Sequence, residues 1–447
     1  MMLKLIYNLG NLLKELGRNN EAEEQYRLAV KADPNDAHAH YNLGVHLDDL
    51  GRKNEAEEQY RLAIKADPNY SETYNNLGLL LQNLGRKNEA EEQYRLAIRA
   101  NPNYAKAHNN LGILLQDLGR NDEAEEQYHL AINADPNLAQ PHYNLGKLLK
   151  DLGRNDEAQE QYCLALKADP NFAAAHSNLG ALLIDLGRRE EAEEQWRLAI
   201  KADPNLAQAH YNLGSLLKDL DRNDEAEAQY RLAIKADPNL ARAHNNLGNL
   251  LSELGRKTEA GEQYRLAIKA DPNHAAAYTN LANLLGELGR KTEAEEQYRL
   301  AIKADPNDPL AHYNYANLLR ETRKFSDAEK EVRIALDIDP FRPQFLGTYG
   351  DILADEGWLD EAEKEYKSAL EHSDGADDSV KSEIHNNLGW VYTQKKLYGN
   401  ARDEFSAAVR LDPKNVKAIR NLRTLSKIKR RRRTPQQSWR GMRGAAA

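Results

Sequence analysis

One cysteine in 447 residues, Cys163, leaves no partner for a disulfide. No cross-linked framework holds the chain, and a reducing, cytoplasmic setting is expected. A thiol nucleophile needs a neighbour that lowers its pKa, and nothing near Cys163 in sequence supplies one. No apolar run approaches the roughly 20 residues that span a bilayer. The apolar start MMLKLIYNLGNLL carries only Lys4 early and no small-residue cleavage site, which argues against a signal peptide. Aromatics are scarce at 7%, mostly Tyr, while charged residues reach 29%, which suits a thin body with much surface. There is no phosphate loop, nucleophile elbow or metal-ligand motif, so no enzyme, cofactor or metal is expected.

What is present is repetition. AHAHYNLGVHLDDLGRKNEAEEQYRLAIKADPNY (Ala37–Tyr70) returns 34 residues later as SETYNNLGLLLQNLGRKNEAEEQYRLAIRANPNY, and again thereafter. A fixed period decides the architecture before any local reading. Within Ala37–Tyr70, His40, Leu43, Gly44 and Leu47 form one helical stripe, and Ala56, Tyr60, Ala63 and Ile64 a second. Gly51 between them fits a left-handed helix end. Pro68 stops the second helix, and Asn69 is expected to cap the next. Each copy is thus a hairpin of two short antiparallel helices, marginal alone and stable only when stacked. The small residue at position 8 of the repeat (Gly44, Gly78, Gly112, Gly146, later Ala282 and Ala316) implies close approach of two helices.

Period 34, with Leu-Gly at positions 7 and 8, Ala at 20, an aromatic at 24, Ala at 27 and Pro at 32, resembles the tetratricopeptide repeat. The resemblance covers nearly the whole chain. It implies an all-α, right-handed superhelical solenoid of twelve helix–turn–helix repeats over residues 3–415, then a capping helix at 416–430 carrying Val416, Ile419, Leu422 and Leu425 on one face. A basic tail follows at 431–447. Repeats two to nine are close copies. Later ones drift, and HSDGADDS (His372–Ser379), with an insertion at 377–381 that overlaps its end, reads as a longer acidic loop and a hinge or proteolysis site. Where the family usually has a large aromatic at position 4, this chain mostly has His (His40, His108, His142, His176, His210, His244, His312, His385). Neighbouring copies stand about 8–10 Å apart, too far for imidazoles to share a zinc ion, so these are packing residues. The paired carboxylates such as Glu57-Glu58 recur in the second helices and read as a solvated face with local ion pairs.

Position 6 is asparagine in eleven of twelve repeats, among them Asn42, Asn76, Asn110, Asn144, Asn178, Asn212, Asn246 and Asn280, with Thr348 the exception. The column is similar to the asparagine ladder in the repeat region of the O-linked N-acetylglucosamine transferase, whose catalytic domain has no counterpart here. That resemblance implies an inner groove holding the backbone of an extended polypeptide, since an amide both donates and accepts. Positions 5 (Tyr41, Tyr143, Tyr211) and 12 vary beside it, and position 13 is acidic in ten repeats, favouring basic or neutral ligands. The Lys/Arg clamp of the family's chaperone-binding members is absent. Twelve Lys and Arg and no acid follow Pro413; the whole chain carries −9, so the preceding part carries about −21. Lys427, Lys429, Arg430, Arg431, Arg432 and Arg433 are therefore candidate contacts to nucleic acid or an anionic surface. The expected function is a non-enzymatic scaffold binding an extended peptide. The alternatives are a self-assembling solenoid, or a scaffold attached to a polyanion by its tail.

Overall fold

The computed structural model describes residues 2–433, with side chains from Ile6 to Ser426. Among these residues the chain is all-α, with 25 helices and no strand. It forms two compact units, Met1–Arg222 and Asn223–Ala447. Within each, helical hairpins stack on their neighbours at the period of the sequence, an all-α solenoid architecture.

Repeat 2 shows the local logic. Its helices run Ala37–Asp49 and Lys53–Ala66. Gly51 between them takes φ 76°, and the Arg52 N–H returns to the Leu47 carbonyl at 2.9 Å, closing the first helix. Asp221, Arg323 and Lys396 hold the same left-handed slot at φ 57–60°, so stacking imposes the turn even without glycine. The expectation that Asn69 caps the next helix is corrected. The Asp67 carboxylate accepts the Asn69 N–H at 2.9 Å in a local turn around Pro68. The residue at the cap is Tyr70, with no side-chain bond. Side-chain caps occur where aspartate or asparagine holds that place, at Asp36, Asp308 and Asn415, whose Oδ1 accepts the Ala418 N–H at 3.0 Å.

Both predicted stripes are buried, Ile64 only partly. Position 8 is small for a more specific reason than helix proximity. A Cβ on Gly112 would stand 2.6 Å from the Tyr128 ring, and one on Gly44 2.8 Å from Tyr60. The glycine therefore makes room for the position-24 ring of its own hairpin. The position-4 histidines are internal ties: His40 Nδ1 bonds Gln59 Oε1 (2.8 Å) and Nε2 bonds the Pro34 carbonyl (3.0 Å). The same pair recurs at His108, His176 and His244.

In repeat 10 the glutamine is replaced by Glu331, 2.6 Å from His312 Nδ1. Burial opposes protonation of His312, but the Glu331 hydrogen bond, the Pro306 carbonyl and the Glu331 charge together raise its pKa above 6.5. A raised folded-state pKa stabilises fully below the unfolded value and is lost as pH climbs through the folded one. The C-terminal unit is thus expected to lose melting temperature as pH rises from about 6.5. Glu331→Gln, which rebuilds the His40–Gln59 arrangement, should flatten that slope. Equal slopes in thermal scans across this window would contradict the assignment.

The repeated carboxylates do more than solvate a face. Glu57 is 16% exposed and bonds Arg86 of the next repeat at 2.7 Å as well as Arg61 on its own helix. Burial pushes its carboxyl up, yet Arg86 and Arg61 hold it below the usual range. Arg120–Glu91, Arg154–Glu125 and Arg222–Glu193 repeat the tie at 2.8–2.9 Å.

Two further expectations change. The insertion at 377–381 is not loop: the helix Asp378–Gln394 starts inside it and gains a turn, since nothing in Asp378–Lys381 breaks a helix. The remaining loop, 372–377, is held by the Ser373 hydroxyl donating to Leu370 (2.7 Å) and by His372 stacked on Phe341. The final helix runs Val416–Arg433, beyond the expected boundary. Its buried face is Ala418 and Leu425, while Val416 is 65% exposed, because the helix takes the register of a thirteenth repeat. The rest of the tail lies outside the described residues.

Candidate functional site

The first helices of successive repeats present positions 5, 6, 9, 12 and 13 on one face. In the N-terminal unit the ladder asparagines from Asn42 onward are partly or wholly buried, and most bond the preceding repeat; Asn8 of repeat 1 is exposed. Asn76 Nδ2 donates to Tyr41 Oη (3.0 Å), Asn110 to Asn75 Oδ1 (3.0 Å), Asn144 to Asn109 Oδ1 (2.8 Å) and Asn178 to Tyr143 Oη (3.1 Å). Position 5 is therefore the acceptor for the following repeat's amide. Tyr41 and Tyr143 reach it with their hydroxyls and pack their rings on Tyr70 and Phe172. Asn75 and Asn109 are each 5% exposed. Tyr211 also holds position 5, partly buried.

Asn42 and Asn212 differ. Position 5 of repeat 1 is Tyr7, whose buried hydroxyl has no partner. Position 5 of repeat 6 is Ser177, to which Asn212 makes no bond. Asn212 accepts from Gln208 at 2.7 Å, and its own N–H groups reach no acceptor.

The C-terminal unit continues the pattern with changes. Asn280 Nδ2 donates to Asn245 Oδ1 and to Asn249 Oδ1, both at 3.0 Å; Asn245 also bonds Asn246 (3.3 Å). Repeat 11 has Gly347 at position 5, so Asn387 turns to Asp351 at 2.8 Å instead. Asp351 also receives Arg320 Nη1 (2.6 Å) and the Tyr366 hydroxyl (2.5 Å). Its side chain is 15% exposed, and burial raises its pKa against the opposing pull of Arg320 and Tyr366. A cavity of about 180 Å³ lies there, beside Trp390. Asn421 on the final helix donates to Asn386 at 3.0 Å, extending the ladder beyond repeat 12.

The sequence reading missed Asn421 and Asp351, and with them position 9. That position accepts the buried position-24 hydroxyl: Tyr26 donates to Asn11 (2.7 Å) and Tyr264 to Asn249 (2.9 Å). Where position 9 is apolar, glutamine at position 12 takes over, as in Tyr94–Gln82 (2.9 Å) and Tyr128–Gln116 (3.0 Å). Aligning the copies by position 9 as well as position 6 would have exposed this.

Among the acids of position 13, Asp185 pairs with Lys150 at 3.1 Å, and Glu287 and Glu321 pair with lysines. Asp117, Asp151 and Asp219 stand free of ion pairs. Cys163 is exposed, and partial burial of its thiol raises the pKa against the pull of Arg188, the wrong direction for a nucleophile. Among the described residues no group of three or more His, Cys, Asp or Glu is placed to hold a metal. No helix there is long and apolar enough to cross a membrane. The side chains of Lys427, Lys429, Arg430, Arg431, Arg432 and Arg433 lie outside the described set.

Comparison with known proteins agrees with this geometry. No curated protein matches the sequence. Among solved structures, c5321, a protective antigen of uropathogenic Escherichia coli strains with an SLR fold, superimposes with TM-score 0.65 at 18% identity, over 91% of this chain and 90% of that one. The Cut9–Hcn1 hetero-tetramer of APC/C gives TM-score 0.51 at 14% identity, over 95% and 96%. Both show the fold alone. Tetratricopeptide-repeat profiles match residues 7–71, 71–104, 103–171 and, in overlapping blocks, 143–416. Repeats of this kind build protein-interaction scaffolds, and with nearly every residue of the stack accounted for, the chain belongs to the tetratricopeptide-repeat family.

Proposed function

We propose that the chain is a non-enzymatic scaffold whose first-helix face receives an extended polypeptide. The observation that carries this reading is the supply of amide hydrogens on that face that the fold leaves over. Asn42 and Asn212 keep both. Asn76, Asn110, Asn144 and Asn178 each spend one N–H on the preceding repeat; Asn76 and Asn178 also bond Tyr60 and Tyr162, while Asn110 and Asn144 have a second to give. An extended peptide advances about 3.3 Å per residue and adjacent hairpins about 8–10 Å, so one asparagine meets about every third residue. Recognition through the backbone leaves the peptide's side chains to positions 5, 9, 12 and 13. The unpaired Asp117, Asp151 and Asp219 favour basic or neutral segments over acidic ones.

The test is selection of binders from a random twelve-residue peptide library on the full chain, followed by NMR of the asparagine side-chain amides. Binding is expected to move the Asn42 and Asn212 amide signals while leaving those of surface asparagines in the loops unchanged. Binders that move neither would overturn the reading.

A further inference from the structure

Repeat 6 departs from its neighbours at several positions, and most of the departures meet in one place. Ala181 stands at position 9, Ile184 at position 12, Arg189 at position 17 and Trp196 at position 24. These four line a single cavity of about 320 Å³ on the first-helix face of the N-terminal unit, together with Leu216, Asn212 and the polar side chains of Lys150, Asp185, Tyr211, Ser215 and Asp219. The flanking repeats carry Lys147 and Lys150, and Ser215 and Lys218, at positions 9 and 12. The change begins at Trp196. Its Nε1 donates to the Ser177 carbonyl at 3.0 Å within the hairpin, so no phenol hydroxyl needs an acceptor at position 9 or 12. That frees the two positions without dictating what fills them. Both are filled by apolar side chains that stay partly open to solvent, over a floor of Trp196 and Leu216, each 4% exposed. At position 12, leaving the aliphatic Ile184 open where both neighbouring repeats place lysine forgoes solvation for no gain in the fold. At the rim, Asn212 keeps both amide hydrogens because Ser177 replaces the usual acceptor.

We propose that this cavity is the anchor for one large aliphatic or aromatic side chain of the bound polypeptide. Asn212 donates to the backbone carbonyl beside it. This rests on the reading of the face as a peptide groove, and it fixes the register: the bound segment carries a residue such as leucine opposite repeat 6. An apolar floor ringed by a few polar groups, here Asn212 with Lys150, Arg189, Tyr211 and Ser215, is the usual composition of a pocket that buries a side chain and orients its backbone. The rim pairs Lys150 with Asp185 and carries one further charge of each sign, Arg189 and Asp219, so its net charge is close to zero.

The test has two arms. N-acetyl-leucine methylamide at millimolar concentration is expected to shift the Trp196 indole N–H and the Ile184 methyl signals saturably. N-acetyl-alanine methylamide should not, and Ile184→Lys should abolish the effect. Lysine at this position is already carried by repeats 5 and 7, so the variant keeps the fold. Absence of the shift, or an equal shift with the alanine compound, overturns the anchor. In the second arm, replacing the anchoring residue of a selected peptide by alanine should weaken binding to the wild type about ten- to hundredfold. The same replacement should change nothing on Ile184→Lys. Binding that falls with Asn42→Ala/Asn212→Ala yet ignores Ile184→Lys overturns the anchor and leaves the groove standing. Binding that ignores both overturns the groove as well.

Discussion

Leu179→Ala is expected to destabilise the N-terminal unit by about 2–5 kcal/mol, the range of a buried leucine truncation. Leu179 sits at position 7 of repeat 6, 5% exposed. Its helix, Ala173–Asp185, packs against its own partner, Arg189–Ala202, and against the second helix of repeat 5, Asn155–Ala168. The cavity left by the truncation therefore weakens both the hairpin and its interface with repeat 5. Contacts in such a stack are between neighbours only, and helices of 13 and 14 residues do not persist alone. Weakening one interior repeat accordingly uncouples the repeats on either side, and unfolding should broaden as well as shift. Urea titration followed by circular dichroism reads both quantities. A single transition of unchanged slope displaced by less than about 0.5 kcal/mol, the size of a surface substitution, would show that position 7 is not core.

The fold was legible because each structural demand is written many times. Ala56, Tyr60 and Ala63 recur at fixed spacing, and one turn is spelled out by Gly51 and its copies. What stayed hidden depends on which of two neighbouring polar groups wins a bond. Asn69 is able to cap, but the geometry around Pro68 turns its N–H to the Asp67 carboxylate and leaves the cap to Tyr70, which makes no side-chain bond. The helical turn gained by Asp378–Lys381 was masked by an acidic, glycine-containing stretch that looks like loop.

The candidate site was half legible for a related reason. The asparagine column was plain, but its partners lie 35 residues away in sequence. A bond from Asn110 to Asn75 leaves no local trace. Variation at position 5 reads as tolerance in a groove wall. In the structure it is, from Tyr41 to Tyr143, a choice between two acceptors, tyrosine hydroxyl or asparagine carbonyl, which Ser177 and Gly347 interrupt. The same bookkeeping links Tyr94 to Gln82 where Leu79 cannot accept, and shows why Trp196, bonded to the Ser177 carbonyl, needs no acceptor at position 9 or 12.

That dual use separates the two roles of the ladder by experiment. Asn110→Ala removes the donor to Asn75 Oδ1, which is 5% exposed and has no second donor to replace it. A buried carbonyl left unsatisfied costs about 1–3 kcal/mol, so this variant should melt earlier whether or not it binds anything. Asn42→Ala and Asn212→Ala remove no inter-repeat bond, because Tyr7 and Ser177 take none from them, and the melting of the double variant should match the wild type. If the face holds a polypeptide backbone, each lost hydrogen bond contributes about 0.5–1.5 kcal/mol, and the pair should weaken a selected peptide about tenfold to a hundredfold. Calorimetric titration alongside thermal melting reads the two effects independently. A double variant that melts as the wild type and binds the peptide with unchanged affinity would leave the asparagines as inter-repeat ties alone. Recognition would then pass to the other surfaces of the stack.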